Sequence, residues 1–167
     1  MEEGVLREEL ARSHDAVFRF LRRLCGDEDA ARDLAQDVMV KAILGLKSFQ
    51  GRSSFRTWLL AIAANLYRDS LRRRKPLLLG DRDDVGDGGR AAEAVERRVD
   101  AGRARELLAG LPLKKRKALA LRLELGLSYE EIAAVLGCPV GTVRSRIHEA
   151  LADLREAMGE DRDGSSM

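Results

Sequence analysis

The sequence predicts an all-α protein: two small helical domains joined by a flexible acidic linker, the second containing a helix-turn-helix. Three observations predict it. Apolar residues recur at helical spacing through residues 4–75 and again from 94 to 158. Between them, residues 76–93 keep no period, and Gly and Asp dominate from Gly80 to Gly89, the composition of a linker. Aromatic residues make up 4% and there are three prolines, too few for a sandwich of short strands and turns.

Length and charge fit that plan. A chain of 167 residues makes one medium domain or two small ones. The 45% of hydrophobic residues allows real cores, and the 35% of charged residues implies helices with charged outer faces. The net charge of +2 is unevenly spread. Residues 1–75 carry 15 basic and 11 acidic side chains, residues 76–100 carry 4 and 7, and residues 101–167 carry 11 and 10. An acidic middle therefore separates two neutral-to-basic segments. Cys25 and Cys138 lie far apart without a CxxC or a nearby His pair, which argues against a disulfide framework or a zinc site. Isolated cysteines fit a reducing compartment. The start, MEEGVLREEL, lacks the apolar region of a secretory signal. No apolar run approaches the roughly 20 residues that span a bilayer. A soluble, cytoplasmic protein without membrane insertion is expected.

In chain order, Leu6, Leu10, Val17, Leu21 and Leu24 mark a first helix over 4–25. GDED at 26–29 breaks it and supplies acidic residues for the positive end of the next. A second helix over 30–46 turns Leu34, Val38, Ala42 and Leu46 inward. Its outer face holds Asp33, Gln36, Asp37 and Lys41, whose spacing also suits a plain salt-bridge ladder. A loop over 47–54 leads to a third helix, which Ser53 or Ser54 can cap and which ends near Pro76. Its apolar positions are Phe55, Trp58, Leu59, Ile62, Ala63 and Leu66, with Phe55 and Trp58 expected in the core. Its other face carries Asn65, Arg68 and Arg72. From Gly51 to Lys75 there are seven basic residues against one acid, Asp69, with four of the chain's seven aromatics in or beside the stretch. Such a face suits nucleic acid, although an ordinary core helix with a solvated basic flank reads the same way.

Beyond the linker, Val95, Val99, Leu107, Leu108 and Leu111 give a helix ending near Gly110–Pro112. Asp83, Asp84 and Asp87 in the linker lack the spacing of a calcium loop. LKKRKALALRLELG gives a further helix through about Leu125, closed by Gly126. Ser128 and Glu131 then form an S-x-x-E capping box, Ile132, Ala133 and Leu136 face inward, Gly137 permits a left-handed turn, and Pro139 fits the first position of the next helix. In that helix Val143, Ile147, Ala150, Leu151, Leu154 and Met158 share one face. The opposite face centres on Ser145, with Gly141, Thr142, His148 and Glu149 beside it and Arg144 and Arg146 on its shoulders. Small polar residues flanked by arginines suit a helix lying in a major groove. The tail from Gly159 to Met167 reads as disordered.

These residues together resemble the bacterial RNA polymerase sigma factors of the extracytoplasmic-function type, which keep only conserved regions 2 and 4. DARDLAQDVMVKAI looks like region 2.2, FQGRSSFRTWLLAIAANLYRDSLRRRK like regions 2.3 and 2.4, and LSYEEIAAVLGCPVGTVRSRIHEAL like region 4.2. The resemblance divides the chain into a region 2-like domain over 1–75, a linker over 76–93, a region 4-like domain over 94–158 and a tail over 159–167. It implies that Asp33, Leu34, Gln36, Asp37, Val38 and Lys41 contact the clamp helices of the polymerase β′ subunit. It assigns capture of the promoter's −10 element to Ser48, Phe49, Gly51, Arg52, Asn65, Arg68, Asp69, Arg72 and Arg73. It assigns the −35 element to Gly141, Thr142, Arg144, Ser145, Arg146, His148 and Glu149. The implied partners are core RNA polymerase (β′ clamp helices and β flap), promoter DNA and an anti-sigma factor. No cofactor, metal or catalytic residue is implied. The chain departs from the family at Asp37, where Glu is common, at Ile43, where an aromatic is common, and at Glu149, where a basic residue is frequent. A carboxylate at 149 either accepts from cytosine N4 or is repelled by phosphate. A ligand-sensing helix-turn-helix regulator stays open on the residues alone. For an enzyme, His14 and His148 stand without catalytic company.

Overall fold

The computed structural model describes residues 2–74 and 99–164. Seven α-helices account for nearly all of them, and the described residues contain no strand. They are α1 (Glu3–Cys25), α2 (Glu28–Gly45), α3 (Phe55–Arg74), α4 (Val99–Ala109), α5 (Leu113–Leu125), α6 (Tyr129–Leu136) and α7 (Val140–Gly164), with a single 3₁₀ turn at Leu46–Ser48. The acidic linker, with Asp83, Asp84, Asp87 and Val95, lies outside the described residues.

The helix ends follow local chemistry. Gly26 takes the left-handed conformation, φ 67°, and its N–H closes α1 on the Arg22 carbonyl. Asp27 then caps α2 by accepting from the Asp29 N–H at 2.9 Å. The cap of α3 is Ser54, whose Oγ accepts from the Thr57 N–H at 3.1 Å and donates to Thr57 Oγ1. Gly126 ends α5 with φ 64°. Both halves of the Ser128–Glu131 capping box are formed: the Ser128 N–H donates to Glu131 Oε2 at 2.7 Å, and Ser128 Oγ accepts from the Glu131 N–H at 3.1 Å. Gly137, φ 64°, makes the turn into α7. Pro139 precedes that helix rather than opening it, and its carbonyl accepts from Thr142 and Val143. Helix α7 runs past Met158 to Gly164, so most of the expected disordered tail is helical.

Packing widens the expected apolar stripes. In α1 and α2 the stripes are as read: Leu6, Leu10, Val17, Leu21, Leu24, Leu34, Val38 and Ala42 are buried. In α3 the buried set is Phe55, Thr57, Leu59, Leu60, Ala63, Ala64, Tyr67, Ser70 and Leu71, while Trp58, Ile62 and Leu66 lie at its margin, half-buried. At 100° per residue that set covers about half the circumference. The reason is that α3 has three neighbours, α1, α2 and α6, and the last belongs to the other domain. Met158, expected inward, is exposed.

The two helical domains pack on each other, α1 against α5 and α3 against α6, and their buried residues form one continuous core. Polar contacts reinforce the junction. Glu124 accepts from Arg23 at 2.7 Å and from Arg19 at 3.4 Å, and Arg19 also donates to the Glu124 carbonyl at 2.8 Å. Arg116 of α5, 2% exposed, reaches the Tyr67 hydroxyl at 3.4 Å and lies over the Tyr67 ring. The same hydroxyl donates to the Leu24 carbonyl at 2.9 Å.

Candidate nucleic-acid interface

Helix α7 presents its polar face because Val143, Ile147 and Ala150 are buried on the opposite side. Gly141, Arg144, Ser145, His148 and Glu149 are exposed together, with Thr142 half-exposed beside them. The face is partly ordered before any ligand binds. Ser145 Oγ donates to the Gly141 carbonyl at 3.1 Å, and the Arg144 guanidinium sits 5.9 Å from the Tyr129 ring centroid. Arg146 differs from its expected place on the shoulder. It is half-buried and leans toward Cys138 Sγ at 3.7 Å. Glu149 is also engaged, 3.5 Å from Lys115, which bonds Asp153 at 2.9 Å. The hydrogen bond to Asp153 raises the Lys115 pKa above its ordinary 10.5, against the opposing effect of burial. That pairing draws the Glu149 charge toward the domain body.

On the first domain, Asn65 and Arg72 are exposed on α3, with Arg68 and Asp69 half-exposed alongside. Arg68 Nε is buried, without a hydrogen-bond partner among the described residues, and 3.9 Å from the Asp69 carboxylate. The loop before α3 exposes Ser48, Gly51 and Arg52, and Gly51 takes φ 69°, which favours glycine. Phe49 is not a free ring. It packs edge-on against Phe55 at 5.4 Å and lies tilted against Trp58 at 5.3 Å. Phe49 is thus half-buried, and its ring supports the loop from within the aromatic cluster it forms with Phe55 and Trp58. Arg73 also turns away from the Asn65–Arg72 face. With Arg74 it lines a groove shared with Asp33 and Asp37 of α2.

Helix α2 presents Asp33, Gln36, Asp37 and Lys41 to solvent, while Leu34 and Val38 are buried and offer no outward contact. The sequence reading missed the apolar part of this face. Val40, Ile43 and Leu44 are exposed at 57%, 50% and 80%, the last among the most exposed large hydrophobic side chains described. Their i, i+3, i+4 spacing, in register with Gln36 and Asp37, carried the signal.

Comparison with known proteins gives these faces a context. Residues 10–76 match the Sigma-70 region 2 family and residues 101–154 match Sigma-70, region 4. The ECF RNA polymerase sigma factor SigC of Mycobacterium tuberculosis is 42% identical over 153 residues, spanning 89% of this chain and 80% of that protein. This chain belongs to the ECF RNA polymerase sigma factors. The RNA polymerase sigma-H factor of Pseudomonas aeruginosa is 36% identical over 85% of this sigma factor and 80% of its own length. Among solved structures, the sigma factor RpoE bound to the anti-sigma factor NepR, from Bartonella quintana, superposes with a TM-score of 0.71. It is 28% identical and covers 92% of this chain and 96% of its own. CnrH in complex with the cytosolic domain of CnrY superposes with a TM-score of 0.72 at 29% identity, over 96% and 91%. Sigma factors are regulatory initiation factors, and this one recognises promoters for RNA polymerase. Among the described residues no helix is long and apolar enough to cross a membrane.

Proposed function

We propose that the sigma factor divides its work between its two helical domains. The first docks on core RNA polymerase and captures the opened −10 strand; the second reads the −35 duplex. The observation that carries the reading is the outward face of α2, where exposed Val40, Ile43 and Leu44 adjoin Asp33, Gln36, Asp37 and Lys41. That mixture fits a docking surface for the polymerase β′ clamp helices: apolar centre, charged rim. Leu34 and Val38 hold the helix in place from beneath.

For the −10 element, Ser48, Gly51 and Arg52 on the loop and Asn65, Arg68, Asp69 and Arg72 on α3 form the capturing face. Opening duplex DNA costs the stacking of several steps, least at pyrimidine–purine steps such as TA. A base that leaves the stack can be held by the polar loop while Arg72 meets phosphate. For the −35 element, Gly141, Thr142, Arg144, Ser145 and His148 enter the major groove. Glu149 accepts from cytosine N4 or stays on Lys115, and Arg146 contributes by holding the turn at Cys138. The chain is not an enzyme, works in the cytoplasm and takes an anti-sigma factor as a partner. That last assignment is supported by the complexes in which its structural neighbours are held.

The test is binding of core RNA polymerase to wild-type protein and to Leu44→Glu. The expected result is a loss of at least about tenfold in affinity, roughly 1.4 kcal/mol, with unchanged helicity. Equal affinity removes the polymerase from the α2 face.

A further inference from the structure

The junction of the two domains lines a partly open cavity of about 180 Å³ that none of the promoter or polymerase faces uses. Its wall brings together five guanidinium groups: Arg19, Arg22 and Arg23 from α1, Arg105 from α4 and Arg116 from α5. One carboxylate, Glu124, stands among them and is already shared between Arg19 and Arg23. The wall thus carries a net charge of +4. Arg22 and Arg105 form no ion pair among the described residues and are exposed enough to swing in.

Arg116 points to a ligand. It is 2% exposed and has no carboxylate partner among the described residues. Two of its nitrogens make only long contacts of 3.4 Å, to the Ala109 carbonyl and the Tyr67 hydroxyl, and its Nε is buried without any hydrogen-bond partner. Buried guanidinium groups are normally paired with an anion, because an uncompensated charge out of water is costly. The carboxyl end of α1 does not supply that anion. Gly26 N–H closes on the Arg22 carbonyl, and the Tyr67 hydroxyl takes the Leu24 carbonyl. The cavity holds roughly six times the volume of a water molecule in the liquid, about 30 Å³.

We propose that this interdomain cavity binds a small multivalent phosphate anion, and that the bound anion ties the two domains together. Guanidinium forks match phosphate oxygens in pairs, and several forks around one cavity select a multivalent anion over a monocarboxylate. Because α1 supplies one wall and α4 and α5 the other, the anion binds only the packed arrangement and stabilises it by mass action. The phosphoryl groups belong either to inorganic diphosphate or to a nucleoside polyphosphate, whose ring would extend out of the open side.

The test is calorimetric titration of the full-length protein at low salt with sodium pyrophosphate, and separately with a nucleoside triphosphate, alongside the thermal midpoint. The expected result is binding at one site per chain and a rise in midpoint. In the double variant Arg22→Gln with Arg105→Gln, both exposed positions, affinity falls at least about tenfold while helicity is retained. Tighter binding of the triphosphate than of pyrophosphate assigns the nucleotide as source; equal or weaker binding assigns the inorganic anion. No binding to the wild type, or undiminished binding to the variant, overturns the proposal.

Discussion

Glu124 is surrounded by opposing effects. Burial acts to raise its pKa, but the hydrogen bond and charge of Arg23 and the charge of Arg19 outweigh it and hold the carboxyl below its ordinary 4.5. A carboxyl whose pKa is lower in the packed form stabilises that form fully above its ordinary value. The contribution fades as pH falls through the lowered one. Domain separation, followed by small-angle scattering or by fluorescence transfer between labels on α1 and α7, is therefore expected to increase below about pH 4.5 in the wild type. In Glu124→Gln the domains separate more readily at pH 7, and the extra opening on acidification is reduced. Identical acid profiles for the two proteins would remove Glu124 as the responsible group. Ser128 offers a simpler test on a single residue. Its hydroxyl holds one end of the capping box, so Ser128→Ala should cost the second domain about 1 kcal/mol in urea unfolding. A change below a few tenths would mean that packing of Ile132 and Val135 fixes α6 without the cap.

Among the elements, caps and one-sided stripes were legible in the chain, while surfaces made by two domains together were not. Gly26, Gly126, Gly137 and the Ser128–Glu131 box could be read because each acts within four residues of itself. The buried flank of α3 at Leu60, Ala64, Tyr67 and Leu71 could not. A single amphipathic stripe is the mark of one packing partner, and α3 also packs on α6, which follows it by more than fifty residues. Arg116 was hidden for the same reason: an arginine between two lysines reads as surface until a second domain covers it. On α2 the apolar surface was overlooked. Leu44 stood outside the inward stripe of Leu34, Val38, Ala42 and Leu46 and was given no role, yet it is 80% exposed. The interface residues divide along these helices. Arg72 faces outward with Asn65, whereas Arg73 lines the groove with Asp33 and Asp37. Arg72→Ala should lower the slope of log affinity against log salt for opened promoter DNA by about 0.7, the share of one single-strand phosphate. Arg73→Ala should leave that slope nearly unchanged. Equal effects from the two would place both side chains on the DNA.

At the scale of the whole molecule, the two domains lie packed, with α1 on α5 and α3 on α6. The faces assigned to polymerase and DNA remain exposed in this arrangement: Asp37 and Leu44 on α2, Asn65 and Arg72 on α3, Ser145 and His148 on α7. Docking to a polymerase can therefore begin without prior separation of the domains. On the proposed function, spanning two promoter elements is expected to exchange the Arg19–Glu124–Arg23 contacts and the Arg116–Tyr67 contact for contacts with polymerase and DNA. Specific DNA binding by the free protein is then expected to be weak. The most direct test is run-off transcription from a promoter library by purified bacterial core RNA polymerase, with and without this chain. Transcripts should appear only when the chain is present, start from promoters sharing one −35 and −10 pair, and vanish with Leu44→Glu. Absence of chain-dependent transcripts, together with tight binding of the free chain to a palindromic site, would contradict the account.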